Sequence, residues 1–193
     1  MVSMLQLPGL VEADLPEGMG YRADFVTAEE ESALLGFVES LAFEEVRMHG
    51  VAARRTVRHF GRRYGYEGGR LLDGDPLPAE LLWLRSRCAD LASLPAERFA
   101  EALVTRYPPG AGIGWHRDAP GFGARVAGVS LLSACRMRFQ RSVAGRREVR
   151  AVDLAPRSAY VLGGAARWSW QHSIPPVREQ RFSITFRTLR EQR

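Results

Sequence analysis

Lysine is absent from this chain: all 27 basic residues are arginine. A GC-rich coding sequence produces the same bias, yet its physical consequence stands. Every cation is a planar guanidinium fork, which matches carboxylate and phosphate better than an ammonium does. Cysteine is nearly absent as well. Cys88 and Cys135 show no metal-ligand spacing and a single pair builds no disulfide framework, so both read as buried thiols. No apolar run approaches the roughly 20 residues that a membrane-spanning helix needs, and Met1 to Gln6 lacks the charged-then-apolar pattern of a signal peptide. The expectation is a cytoplasmic protein with no membrane partner. Histidine is scarce too, with four in 193 residues, so the candidates for imidazole chemistry can be weighed one by one.

What is present is unevenly distributed charge. Residues 1–45 hold ten acidic residues and one arginine, whereas the rest of the chain carries a net charge of +14. A basic body with a sequence pI near 9.8 suits a nucleic-acid partner, and equally a solvated basic surface with no partner. A length of 193 residues is enough for one domain with a sizeable core, so residues 1–193 are expected to form a single domain.

Thr27-Ala28-Glu29-Glu30 is a capping-box signal ahead of Leu34, Leu35, Phe37, Val38 and Leu41 at helical spacing. A second amphipathic helix is expected from Pro78 through Leu91, ending before Pro95. From Leu103 the pattern changes to short apolar-alternating runs separated by Gly and Pro: 102–107, 126–132, 137–140, 149–154, 159–162, 167–172 and 182–186. Many short strands with turn punctuation predict a mainly β fold with flanking helices, a sandwich or barrel, with the jelly roll as the form that cradles ligands between two sheets.

Within those strands lies Trp115-His116-Arg117-Asp118. Residues two apart on a strand share a face, so His116 and Asp118 can offer an imidazole and a carboxylate to one ion, with Trp115 and Arg117 turned away. His172 would supply a third ligand from another strand. His49 lies beside Gly50 and His59 among arginines, away from any strand-and-turn frame. Two histidines and one carboxylate with open positions favour Fe(II) over structural zinc, which closes its shell with a fourth ligand. His-x-Asp arises by chance in many chains, so the triad alone defines a candidate. In Arg181 to Arg187 alternation sets Phe182, Ile184 and Phe186 against Arg181, Ser183, Thr185 and Arg187. Arginines on a half-buried strand call for an anion, unless that face is solvated. Their backbones stand about 20 Å apart, so they can approach a short dicarboxylate only from opposite ends.

Taken in order, Arg106-Tyr107-Pro108-Pro109-Gly110, His116-Arg117-Asp118, His172-Ser173-Ile174-Pro175-Pro176 and the R-x5-R run from Arg181 to Arg187 resemble the AlkB family of Fe(II)- and 2-oxoglutarate-dependent dioxygenases. The match spans about residues 103–190. The resemblance implies a double-stranded β-helix, or jelly roll, over about residues 101–193, preceded by N-terminal helices and a substrate lid over about residues 1–100. It implies His116, Asp118 and His172 as iron ligands, and Arg181, Arg187 and Tyr107 as contacts to 2-oxoglutarate. Thr105 stands where DNA-repair members usually have asparagine. The reaction implied consumes O₂ and 2-oxoglutarate and releases succinate and CO₂. On an N-methyl group it also yields formaldehyde.

Tyr64 and Tyr66 resemble the aromatic pair of the family's nucleotide-recognition lid, and aromatic faces among arginines suit a flipped or single-stranded base. The partner expected is single-stranded DNA or RNA, tRNA included. Oxidative demethylation of N-alkylated bases is the first expectation. Against it, Ala119-Pro120-Gly121-Phe122 stand where several repair enzymes carry an acidic residue, and Arg54 to Gly61 look like the lid of AlkB-type tRNA wobble-uridine hydroxylases. The alternatives are therefore RNA hydroxylation, oxidation of a protein or small molecule, and a catalytically silent nucleic-acid-binding module.

Overall fold

The computed structural model describes residues 15–48, 51–65 and 70–190, apart from the side chains of 47, 48, 51, 63–65, 70 and 71. Twelve strands and three α-helices are assigned among them. In chain order these are β1 (Met19–Arg22), α1 (Ala28–Glu39), β2 (Glu44–Met48), β3 (Val51–Gly65), β4 (Arg70–Asp73), α2 (Ala79–Leu91), β5 (Phe99–Tyr107), β6 (Ile113–His116), β7 (Phe122–Leu131), β8 (Cys135–Val143), β9 (Arg146–Leu154), β10 (Ala159–Leu162), α3 (Gly164–Trp168), β11 (Gln171–Ile174) and β12 (Arg181–Leu189).

All ladders are antiparallel and fall into two sheets. The major sheet runs β1-β10-β7-β12-β5-β3-β2, with β4 paired to the far end of β3, and the minor sheet runs β6-β11-β8-β9. This is the jelly roll that the strand pattern predicts. Strand β12 lies at the centre of the major sheet, between β5 and β7. Arg181 through Phe186 are consequently buried on both faces, not half-buried.

The alternation of β12 divides the core. Phe182, Ile184 and Phe186 join Leu34, Val38, Leu81, Leu84 and Cys88 in a cluster beneath α1 and α2. The opposite face looks into the space between the sheets, where Tyr107, Met137, Phe139, Trp170 and Ile174 form a second cluster. Each fully buried large apolar side chain contributes about 1.5–3 kcal/mol. Both thiols are buried and free, and burial pushes the Cys88 thiol up, away from thiolate.

Helix α1 starts where the capping box predicts. Glu30 N donates to Thr27 Oγ1 at 3.2 Å and Thr27 N donates to the Glu30 carboxylate at 2.9 Å. Helix α2 follows Pro78 as expected. The first hundred residues also contribute strands to the core: Thr56–Gly61 of β3 pair with β5, so part of the stretch expected in a lid belongs to the major sheet. Gly61, at φ +75°, is where β3 leaves β5 for β4, and a Cβ there would come 2.2 Å from the Ala100 carbonyl oxygen. A glycine is required at that switch.

Two expectations need correcting. The run 167–172 is not one strand, because Arg167 and Trp168 end the short helix α3 and strand resumes only at Gln171. Asp118 is not on a strand either. Strand β6 stops at His116, and the carboxylate comes from the irregular segment that follows.

Candidate metal centre

His116 and His172 are direct register partners across β6 and β11, which brings residues 56 positions apart in sequence into contact. Their ring centroids are 4.2 Å apart, and His172 Nε2 stands 3.8 Å from Asp118 Oδ2. Donors about 2.1 Å from a common ion lie at most about 4.2 Å apart, so this spacing is compatible with a shared ion. Among the described residues no three such side chains are already gathered around a metal-binding point. The imidazole planes are tilted 59° to one another and Asp118 is turned toward Arg187, so closing a shell takes side-chain rotation on a backbone already in register.

The protonation states suit ligation. Burial, reinforced by the neighbouring His116, pushes His172 down to about 3, and burial lowers His116 as well. Both rings are neutral at physiological pH, as metal ligands must be. Burial alone would raise Asp118, but Arg187, His172, His116 and Arg167 together hold its carboxyl well below the usual carboxylate range.

Behind these three residues lies a narrow cavity of about 60 Å³ whose walls include Tyr107, Arg181, Ser183, Thr185 and Arg187. Arg181 is 1% exposed. One of its nitrogens donates to Ser130 Oγ at 3.0 Å, and its guanidinium lies 5.0 Å from the centre of the Tyr107 ring. Its Nε and Nη1 have no partner. A buried guanidinium with two unsatisfied donors at a polar cavity fits an incoming carboxylate, since such a fork is costly to bury unpaired. Thr105 is buried on the same face of β5, opposite Ser183, but is not part of the cavity wall.

Arg187 differs. Its Nε donates to Asp118 at 2.7 Å and its Nη1 to Glu101 at 2.8 Å, while Glu101 Oε1 is 2.9 Å from His59 Nδ1. Asp118, Arg187, Glu101 and His59 thus form a chain of polar contacts from the candidate ligand to the wall of a second, larger cleft. That cleft measures about 440 Å³ and shares Ile113, His116, Asp118 and Arg187 with the inner cavity. His59 therefore does sit in the site's frame, on β3 opposite Leu103. Tyr66, expected against substrate, lies outside the described residues, and for Tyr64 only the backbone on β3 is described, opposite Leu71.

The segment after Asp118 is held from below by a residue with no predicted role. Arg167, 2% exposed, donates to four carbonyl oxygens, those of Asp118 (3.3 Å), Ala119 (3.1 Å), Phe122 (3.2 Å) and Gly123 (3.1 Å). One planar fork thus fixes the backbone on both sides of the turn that carries Asp118. Arg167→Ala should cost roughly 3 kcal/mol, because hydrogen bonds to a buried charge are worth about 1.5–3 kcal/mol each and do not add fully. That corresponds to about 6–12 °C in thermal midpoint at this chain length. Arg167→Lys should recover little, since one ammonium cannot span four carbonyls. A melting temperature unchanged by either substitution would show that the clamp is dispensable.

A jelly roll with two imidazoles and a carboxylate at the mouth of a cavity lined by a buried arginine defines an oxygenase class, and comparison with known proteins agrees. Residues 27–187 match the 2OG-Fe(II) oxygenase superfamily, and the chain belongs to it. The curated relatives include the alkylated DNA repair protein ALKBH8 homolog of Arabidopsis thaliana. It is 28% identical over 210 residues, which cover 90% of this chain and 58% of that protein. Another is the tRNA (carboxymethyluridine(34)-5-O)-methyltransferase ALKBH8 of Mus musculus, 30% identical over 172 residues, which cover 84% of this chain and 25% of that protein. The chain therefore spans little more than half of the first relative and a quarter of the second.

Among solved structures, that of OsALKBH1 has the same fold. Its TM-score is 0.74 at 15% identity, covering 93% of this chain and 99% of that one. A 2OG-Fe(II) oxygenase family oxidoreductase from Burkholderia pseudomallei gives 0.66 at 21% identity, covering 91% and 86%. The chain thus carries a 2-oxoglutarate- and Fe(II)-dependent oxygenase domain, whose family works with Fe(II), 2-oxoglutarate and O₂. Among the described residues no helix is long and apolar enough to cross a membrane.

Proposed function

We propose that this protein hydroxylates a neutral or acidic nucleoside in RNA, with tRNA as the first substrate to test. The observation that carries this reading is the charge of the 440 Å³ cleft. Its wall includes Arg55 and Arg117, and the floor beyond Asp118 is Ala119, Pro120 and Phe122. Arg187 and Asp118, also on the wall, are paired with each other, and Arg187 meets the buried Glu101 as well. Bases alkylated at adenine N1 or cytosine N3 are cations, and a cleft of this sign disfavours them. A uridine, or one bearing a carboxylate, meets no such penalty. The tRNA-modifying activity named for the mouse relative supports the same direction.

In this reading His116, Asp118 and His172 are the residues that would hold Fe(II). When bound, Fe(II) with 2-oxoglutarate and O₂ supplies the oxidation, in which the co-substrate becomes succinate and CO₂ and one oxygen atom enters a substrate C–H bond. Arg181, with the Tyr107 ring 5.0 Å from its guanidinium, would receive a carboxylate of 2-oxoglutarate. Arg187 fixes the orientation of Asp118. The loop clamped by Arg167 keeps Ala119 to Phe122 as an apolar wall beside the target carbon, limiting access of water.

The test is to incubate the protein with Fe(II), 2-oxoglutarate and either tRNA or N-methylated single-stranded DNA, then to digest and weigh the nucleosides. A tRNA nucleoside heavier by one oxygen is the expected product. Loss of N-methyl groups from the DNA with release of formaldehyde would return the protein to alkylation repair.

A further inference from the structure

The outer face of the minor sheet carries a second feature that catalysis does not use. In β8, Cys135, Met137 and Phe139 point into the core, so Arg136, Arg138, Gln140 and Ser142 point outward, opposite Asp153, Ala151, Val149 and Arg147 of β9. On β6, Trp115 alternates with the inward His116 and shares this outer face. Its half-buried ring has the Arg138 guanidinium 5.1 Å and the Arg147 guanidinium 5.8 Å from its centre. Arg138 Nε is buried without a hydrogen-bond partner, and Val149 is 55% exposed.

The charge of this face is strongly biased. Of the hairpin residues that point outward, three are arginines, Arg136, Arg138 and Arg147, and one is an acid, Asp153. That acid is already matched within the hairpin, to Arg136 at 3.2 Å. On the far side of the molecule α1 carries four glutamates and no basic residue. A polyanion would be drawn to the minor-sheet side and repelled from the helical side. Trp115 adjoins His116, and the exposed Arg117 lines the cleft, so the basic face runs directly into the mouth of the site.

We infer that the outer face of the minor sheet, centred on Trp115, Arg138 and Arg147, is the track for the single-stranded polynucleotide that flanks the target nucleotide. The arginines meet phosphates, and the tryptophan ring offers a stacking surface to one base. This rests on the nucleic-acid reading above. The chemistry favours a single strand, because an aromatic flanked by guanidiniums recognises an unstacked base, which a duplex does not present.

The experiment measures binding of the full chain to an end-labelled, unmodified single-stranded uridine 12-mer by fluorescence anisotropy over a range of salt. Arg138→Gln/Arg147→Gln should weaken binding about tenfold near physiological salt and lower the log–log salt slope by about 1.4, the signature of two lost phosphate contacts on a single strand. Trp115→Leu should weaken binding by a similar factor with the slope unchanged, because stacking releases no counterions. Arg22→Gln, an exposed arginine on β1 at the edge of the other sheet, should stay within about twofold of the parent. Arg147→Glu alone, on an exposed side chain, keeps the test readable if Arg138 proves necessary for folding. Parent-like affinity and slope in the double variant and in Arg147→Glu would overturn the track while leaving the nucleic-acid reading intact. Tighter binding to a duplex than to the single strand would also overturn it. A parent protein that binds neither would overturn both.

Discussion

Asp118→Ala is expected to lower succinate formation at least about a thousandfold while leaving a folded protein, because its two roles separate. As the proposed ligand Asp118 has no substitute among the described residues: without it two imidazoles remain, and His59, a further imidazole of the network, is turned to Glu101. As an ion-pair partner it is backed up. Arg187 keeps the buried Glu101 at 2.8 Å, so its guanidinium is not left uncompensated. The substitution should therefore cost less than the roughly 3–5 kcal/mol typical of breaking a buried pair. The measurement is thermal unfolding with and without Mn(II), a redox-quiet stand-in for the iron. At about a hundred times its dissociation constant a metal stabilises the native state by roughly 2.7 kcal/mol, or about 5–11 °C at this size. Wild type should show that rise and Asp118→Ala should not. A variant that still turns over, or still gains stability from the metal, would remove Asp118 from the ligand set.

What could be read in the chain beforehand follows the physics of each contact. His116 and His172 could be singled out because the chain holds only four histidines and because their motifs resemble those of a known family. The register of β6 and β11 that brings them together leaves no local trace in sequence, and the period-two reading of His116 and Asp118 does not apply because β6 stops at His116. The arginines of β12 were legible because strands leave a period-two trace, although the strand proved to be covered on both faces. Arg167 was not legible. Its partners are backbone carbonyls, which any residue supplies, so no side chain elsewhere in the chain betrays the clamp, and the Trp168-Ser169-Trp170 alternation beside it mimics a strand. Glu101 was legible in principle. On β5 it shares a face with Leu103, Thr105 and Tyr107, and an acid at an inward position demands a cation. His59 was hidden by the arginines around it, because β3 pairs on its two sides with strands of mixed exposure and shows no clean alternation. The proposed substrate preference was the hardest to read, since it rests on Arg55 and Arg117 converging on one cleft from two separate segments.

Arg181→Met should make the ligand-free protein more stable and the enzyme nearly unable to use its co-substrate. In the free protein Arg181 is a buried cation with one 3.0 Å hydrogen bond to Ser130, an aromatic ring 5.0 Å away and two unsatisfied nitrogens. Methionine has a similar length and no charge to desolvate. Replacing a poorly compensated buried ion by an apolar side chain commonly gains about 1–4 kcal/mol, from which the lost Ser130 bond takes about 1 kcal/mol. The net gain expected is up to about 3 kcal/mol, or as much as roughly 6–12 °C. With 2-oxoglutarate present the order should reverse. A bidentate, charge-assisted contact in a dry cavity is worth about 3 kcal/mol, so its loss should raise the Michaelis constant for 2-oxoglutarate by about a hundredfold, and the variant should forfeit the stabilisation that the co-substrate confers on wild type. The crossing of the two melting curves, variant above wild type without 2-oxoglutarate and below it at saturating concentration, is the observable. If Arg181→Met instead melts lower in both conditions with an unchanged Michaelis constant, Arg181 is a structural residue and the co-substrate anchor must be sought elsewhere in the cavity.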